Sequence, residues 1–292
     1  MPEAQAPWTV LTLLRRATDH LREQGIDSPR AVAEILLAHA LGCRRIDLYL
    51  RFDQPVEAAE RNRFRDLVRR RLRREPVAYI TGSREFWSLP LAVDPSVLIP
   101  RPETECLVEA ALAVLPETTL RPQRILDLGT GSGAVILALA KERPGHRFVA
   151  SDCSAEAIGK ARSNARCLGL ADRLEVFVGD WFAPLRPCRH WDLIVSNPPY
   201  IATPSLTGLA PEVAAFEPRQ ALDGGLDGLD CLSRLIAEAP AHLCAGGYLI
   251  LEMGADQRQP VRDLAQRTAA YRCIDFRADY AGRDRVAILQ RG

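Results

Sequence analysis

From residue 124 onward the chain alternates short apolar runs with amphipathic stretches. Runs at 124–128, 147–151, 174–178, 191–196 and 247–252 have strand length. The segments 134–142, 154–168, 227–242 and 256–269 repeat apolar residues at helical spacing. Helical segments of this length between strands predict parallel strands linked by crossovers and covered on both faces. The end departs from this rule. Runs at 271–277 and 285–290 are separated by only 278–284, too short for a crossover helix. That pair should be antiparallel, with 285–290 beside the parallel set. The expected architecture is α/β: a seven-stranded, mostly parallel sheet, Rossmann-like in its windings.

The first part of the chain reads differently. Val10, Leu13, Leu14, Ala17 and Leu21 mark one helix, and Ser28-Pro29 reads as the N-cap of a second that Gly42 stops. A third runs from about 57 to 74, with Phe64, Leu67, Val68 and Leu72 on one side. The expectation is a small all-helical domain at 1–75, a connector at 76–100 carrying an extended hairpin around 85–93, and the sheet domain at 101–292, opened by a helix at about 103–115.

Composition narrows the class. The 292 residues, 47% hydrophobic and 26% charged, fit a globular protein, and a net charge of +1 gives no global pull toward nucleic acid. Eight arginines against one acid at 61–74 form the one strongly basic stretch, which reads either as a phosphate-contacting face or as a solvated helix face. Eight scattered cysteines lack C-x-x-C or zinc-like spacing, so a reducing compartment and no metal are expected. The charged first 24 residues lack a signal-like core, and no apolar stretch approaches the roughly 20 residues that span a bilayer. The expected location is cytoplasmic.

Two motifs carry chemistry. In Ile125-Leu-Asp-Leu-Gly-Thr-Gly-Ser-Gly133, the glycines Gly129, Gly131 and Gly133, with Thr130 and Ser132 between them, form a turn from strand to helix. Dinucleotide enzymes use a related turn for pyrophosphate. Asp127, two positions ahead of Gly129, is an odd neighbour for pyrophosphate and suits the positive amino group of a methionine moiety. Asp152 closes the next strand, where a carboxylate can accept both hydroxyls of a ribose. Asp180 and Trp181 close the third, offering an acceptor for an adenine amine and a ring for its face. Each also has a plain structural reading, as a helix cap or as packing. Their agreement along one sheet edge points to S-adenosylmethionine.

The second motif is Asn197-Pro198-Pro199-Tyr200, directly after the run 191–196. Two prolines end the strand in a rigid turn. The turn presents the Asn197 amide, the Pro198 carbonyl and an aromatic ring: two acceptors and a cover for a planar NH₂ group. Asn197 also stands next to the proposed cofactor. Together the motifs read as methyl transfer to an amide or amine nitrogen.

These residues sit in a longer resemblance. Arg84-Glu-Phe-Trp-Ser-Leu-Pro-Leu91, Leu98-Ile-Pro-Arg-Pro-Glu-Thr-Glu105, the glycine motif, Val195-Ser-Asn-Pro-Pro-Tyr-Ile201 and Phe216-Glu-Pro218 occur in the order found in the release factor glutamine methyltransferases. The chain resembles that family over nearly its whole length. The resemblance implies the class I S-adenosylmethionine-dependent methyltransferase fold. It also implies methylation of the side-chain amide of the glutamine in the Gly-Gly-Gln motif of peptide chain release factors 1 and 2. Gly129 to Gly133, Asp152 and Trp181 match its cofactor positions, and Asn197 to Tyr200 its glutamine-binding positions. Arg101 and Glu103 fall in a segment implied to lie near the cleft. Ser132 replaces a common threonine, and Ser151 a usual apolar residue. The helical domain is implied to recognise the protein substrate, with no direct nucleic-acid substrate.

Two other readings stand beside this one. An adenine-N6 nucleic-acid methyltransferase shares the tetrapeptide, but must flip its target base out of a duplex and match the backbone. No large basic recognition domain is evident. A non-catalytic adaptor that binds S-adenosylmethionine would not need the Asn197 and Pro198 receptor.

Overall fold

The structure is a computed structural model and describes residues 8–117 and 121–292. It divides into two compact units, residues 1–82 with Pro211–Phe216, and Ser83–Ala210 with Glu217–Gly292. The first seven residues of the expected helical domain lie outside the described residues.

The helical unit contains α1 (Val10–Glu23), α2 (Pro29–Leu41), α3 (Asp47–Leu50), α4 (Ala58–Leu72) and α5 (Val77–Thr81). Val10, Leu14, Ala17 and Leu21 of α1 are buried, as their helical spacing requires, against Leu36 and Leu37 of α2 and Phe64 and Val68 of α4. Gly42 ends α2 in the left-handed conformation, where a glycine carries no Cβ penalty. Ser28 departs from its expected role. It is itself left-handed, at φ 49°, and its hydroxyl makes no capping bond. The boundary at 75 also moves. The α5 residue Ile80 is buried with the helical core, whereas Phe86, Leu89 and Leu91 of the hairpin are buried with the sheet. The stretch 76–100 is therefore no separate connector: it divides at Gly82.

Some arginines of the 61–74 stretch are internal tethers, while Arg65, Arg69 and Arg73 are exposed. Arg71 is buried and donates to Glu212 at 2.6 Å, Arg70 pairs with Glu75, Arg63 donates to the Ala40 carbonyl, and Arg74 to the carbonyls of Gln24 and Gly25. The tethers lie outside both readings, whereas the exposed arginines are compatible with a solvated face.

The sheet unit opens with the hairpin β1 (Ser83–Phe86) and β2 (Leu89–Ala92). It continues through α6 (Glu105–Val114), β3 (Arg124–Leu128), α7 (Ala134–Glu142), β4 (Arg147–Asp152), α8 (Ala155–Cys167), β5 (Leu174–Val178) and β6 (Trp191–Ser196). The short helix α9 (Pro211–Phe216) belongs to the helical unit. Then follow α10 (Asp230–Glu238), β7 (Leu243–Glu252), α11 (Arg258–Thr268), β8 (Tyr271–Ala278) and β9 (Asp284–Arg291). The strand order is β5-β4-β3-β6-β7-β9-β8. Strands β3 to β7 are parallel, and β9 lies antiparallel to both β7 and β8, as the short 278–284 connection requires.

Alternate strand residues enter two cores. Ile125, Leu193, Val195 and Ile250 pack with α6 and α7, while Leu126, Leu128, Ile194, Leu249 and Leu251 pack with α10 and α11. With both faces covered, the strands read as continuous apolar runs rather than alternating ones. The chain winds from β3 outward to β5, then returns to place β6 on the other side of β3. Open α/β sheets bind ligands at such a switch, outside the carboxyl ends of the strands.

Candidate active site

A cleft lies at that switch. Its wall contains Asp127, Gly129, Thr130, Gly131 and Ser132 from the β3–α7 turn, Asp152 from the end of β4, Trp181, Asn197 and Pro199. Residues from four separate strand ends are thus brought together by the sheet order.

The turn is held from several sides. The N–H groups of Gly129 and Thr130 both donate to the Ser151 carbonyl at 2.9 Å, and Gly131 N–H donates to Asp152 Oδ2 at 2.9 Å. At Gly129, φ is 71°, and an added Cβ would stand 3.3 Å from the Trp181 ring. Glycine there lets the indole lie against the turn. Gly133 is not part of the wall. It starts α7 at φ 84°, and a Cβ would meet Leu137 at 3.0 Å, so its role is the sharp turn into the helix.

Asp127 is buried and accepts from the Thr130 hydroxyl at 2.7 Å. Burial pushes its carboxyl pKa up to about 7; the Thr130 bond opposes the rise and the charge of Asp152 adds to it. A buried carboxylate beside an open cleft, with no cationic side chain against it among the described residues, suits a cationic ligand group. Asp152 accepts from Gly131 and Ser154 N–H groups, one on each oxygen. Each oxygen retains a second lone pair, so capacity for hydroxyl donors remains.

Asp180, Pro198 and Tyr200 do not enter the wall. The Asp180 side chain is 58% exposed and pairs with Arg234 at 2.8 Å. At the next residue the backbone turns through φ 48°, and Trp181 rather than Asp180 reaches the cleft. Tyr200 turns inward and donates its hydroxyl to Glu252 Oε1 at 3.0 Å. Burial, and then the neighbouring Glu252 charge, raise its phenol pKa. Pro198 is buried, and among the described residues no donor meets its carbonyl.

Asn197 donates from Nδ2 to Thr104 Oγ1 at 3.2 Å, leaving its amide oxygen for another partner. The loop behind it is clamped. Gln257 Nε2 donates to the carbonyls of Tyr200 and Gly228 at 3.0 and 3.1 Å. At Gly224 a Cβ would stand 2.8 Å from the Pro199 carbonyl oxygen, so only glycine allows that approach.

Arg101 forms an ion pair with buried Glu217, which also accepts from Ile99 N–H at 3.1 Å. This bond joins the 98–105 segment to the Phe216-Glu-Pro218 segment. Glu103 is exposed. Sequence reasoning missed Asn164, which is buried and fully used: Nδ2 donates to the Ser132 and Ala92 carbonyls at 2.8 and 3.1 Å, and Oδ1 accepts from Ala92 N–H at 2.8 Å. One side chain thereby joins α8, β2 and the glycine turn. An asparagine on an amphipathic helix gives no sequence signal of such a role.

Known proteins extend the picture. Residues 12–82 match the family model described as PrmC N-terminal domain, and residues 106–211 match Methyltransferase small domain. A release factor glutamine methyltransferase from Rhodopirellula baltica is 43% identical over 287 residues, covering 98% of this chain and 97% of its own length. One of the same name from Geobacter sulfurreducens is 43% identical over 286 residues, covering 98% of each. Among solved structures, the hMettl16 catalytic domain in complex with MAT2A 3'UTR hairpin 6 matches with a TM-score of 0.58 at 17% identity, over 74% of this chain and 80% of its own. At that identity the likeness concerns the fold alone. The identity to the two bacterial relatives spans both units and the cleft, and the chain belongs to the release factor glutamine methyltransferase family.

Proposed function

We propose that this enzyme transfers the methyl group of S-adenosylmethionine to the side-chain amide nitrogen of the glutamine in the Gly-Gly-Gln motif of peptide chain release factors 1 and 2. The names of the relatives support the protein substrate. The cleft supports the donor: Asp127 offers a buried anion for its amino group, Asp152 retains acceptors for ribose hydroxyls, and Trp181 lies beside the turn as a surface for adenine. Bound there, S-adenosylmethionine supplies an electrophilic methyl group.

The observation that carries the reading is Asn197. Its amide nitrogen is engaged by Thr104, its oxygen is left for a donor, and the Pro198 carbonyl next to it has no donor among the described residues. A glutamine amide is a weak nucleophile because its nitrogen lone pair is delocalised. Two acceptors on its N–H groups build electron density on that nitrogen and aim it, a contribution of positioning and electrostatics. Attack needs no prior strong base, because the product sheds its proton afterwards. Tyr200 contributes by fixing the loop, and Asp180 takes no part in the wall.

The helical unit recognises the protein substrate in this reading. Its α3 region exposes Ile46, Tyr49, Leu50 and Phe52, and an exposed apolar cluster of this kind marks an interaction surface. The eight thiols, four of them exposed, support a reducing, cytoplasmic location.

Asn197→Ala tests the proposal. Loss of a preorganised contact lowers turnover about 10²–10³-fold, with cofactor affinity nearly unchanged. Near-normal turnover on release factor would remove Asn197 from the mechanism.

A further inference from the structure

A glutamine whose side-chain amide reaches Asn197 brings its own main chain to the mouth of the cleft. The residues on either side of it must then cross the surrounding surface, each extended residue adding at most about 3.5 Å. A rigid border of the cleft beside the acceptor turn is therefore placed to meet them.

Such a border is built in one piece with that turn. Gln220 and Ala221 line the cleft, and the segment that follows folds back on the residues after Pro199. Ile201 N–H donates to the Leu222 carbonyl at 3.1 Å, Gly224 N–H to the Ile201 carbonyl at 2.8 Å, and Thr203 N–H to the Gly225 carbonyl at 2.8 Å. The Thr203 hydroxyl donates to Asp223 Oδ1 at 2.6 Å. At Gly228, φ is 78°, and a Cβ would stand 2.4 Å from the Tyr200 carbonyl oxygen, so backbone lies directly on backbone. Gln257 bonds both of those residues' carbonyls.

Between buried Gly224 and buried Gly228, Leu226 and Asp227 project as an exposed tip. Asp227 Oδ1 accepts from Leu229 N–H at 3.0 Å, which closes the turn. Leu226 is 81% exposed, and no large apolar side chain among the described residues is more so. A lone exposed leucine is ordinary on a protein surface. This one is distinguished by its place. It stands five residues beyond Ala221 of the cleft wall, at most about 18 Å of extended chain and less along this bent one. Its loop is fixed to the acceptor turn, so a partner that covers it has little further ordering to impose.

We propose that Leu226 is a docking anchor for the protein substrate: it packs against an apolar residue of the release factor chain that flanks the methylated glutamine, and so helps decide which glutamine enters the cleft. It touches neither the cofactor nor the acceptor amide. The inference rests on the reading of Asn197 as the amide receptor.

The test compares the full-length wild type, Leu226→Ser and Leu226→Met with S-adenosylmethionine and three substrates: release factor 1, a peptide of about 15 residues centred on its Gly-Gly-Gln, and the blocked Gly-Gly-Gln tripeptide. Serine removes the apolar surface, and methionine keeps it. L226S should lower kcat/KM about tenfold on release factor 1 and on the long peptide, through KM, with kcat within about twofold. On the tripeptide, which ends short of the tip, the change should stay under about twofold. L226M should retain most of the wild-type value, and calorimetry should give all three proteins the same cofactor affinity. Normal kcat/KM for L226S on release factor 1 would overturn the inference. So would an equal loss on the tripeptide, which would mean that the tip acts through the acceptor turn, or a loss on release factor 1 absent from the long peptide, which would move the contact away from the flanking chain. A wild-type mass that grows with concentration while L226S stays monomeric would assign the tip to a second copy of this chain and overturn it as well. Wild-type label on a residue other than the glutamine would instead strike the receptor reading itself, whatever L226S does.

Discussion

Asp127 gives the sharpest test of the cofactor reading, because its titration falls within an accessible pH range. Burial holds its carboxyl pKa at about 7, and the charge of Asp152 in the same cleft adds to the rise. The ionised form binds a cationic amino group and the protonated form does not, so affinity must fall as pH drops through about 7. The ionised fraction is about one half at about pH 7 and about 3% at about pH 5.5, so the dissociation constant should rise about 15-fold between them. The free ligand's own amino group, with a pKa near 8, stays protonated across this window. Calorimetric titration with S-adenosylmethionine at several pH values reads the effect directly. Asp127→Asn should bind weakly and with a flat profile. Asp152→Ala should behave differently. It removes a charge-assisted acceptor of about 1.5–3 kcal/mol, so binding weakens about tenfold or more, but the pH-dependent fall persists. That fall should shift toward lower pH, because the neighbouring charge that raised the Asp127 pKa is gone. A wild-type affinity that is flat between about pH 7 and 5.5, or a D127N profile with the wild-type slope, would refute the pairing of Asp127 with a cation.

Asn164→Ala should lower stability by about 2–4 kcal/mol, since buried polar groups on Ala92 and Ser132 lose their partner; a thermal midpoint near wild type would show that the glycine turn does not depend on this side chain. Leu50→Ser with Phe52→Ser should raise KM for release factor while leaving cofactor affinity unchanged, because both side chains are exposed on the helical unit. An unchanged KM in release factor titrations would take protein recognition away from that surface.

The sheet unit was legible because its strands are short apolar runs bounded by glycine, proline or charge. Runs predicted at 124–128, 174–178 and 191–196 coincide with β3, β5 and β6. The start of β7 was hidden. Leu243-Cys-Ala-Gly-Gly reads as a loop, yet Leu243 pairs with Trp191 before the register shifts. The segment 201–226 gave no periodicity because it folds as a 3₁₀ helix at Thr203–Gly208 and the six-residue α9, both too short to repeat. In the cleft, strand-end positions pointed to Asp127, Gly129 to Ser132, Asp152, Trp181 and Asn197, and the structure brings these to one wall. They misplaced Asp180 because strand position alone does not reveal which way the next turn bends. Asn164, Thr104, Glu252 and Gln257 were invisible for a related reason. Each is a polar residue whose importance comes from a partner far away in sequence, and local pattern carries no record of that partner.

The central claim is the transfer of one methyl group to one amide nitrogen. The direct measurement is incubation of the purified enzyme with labelled S-adenosylmethionine and, separately, release factor 1, release factor 2 and duplex DNA, followed by peptide mass spectrometry. The account predicts label on both release factors, confined to the glutamine of Gly-Gly-Gln, with none on DNA. Label on adenine, or on a release factor residue other than that glutamine, would contradict it.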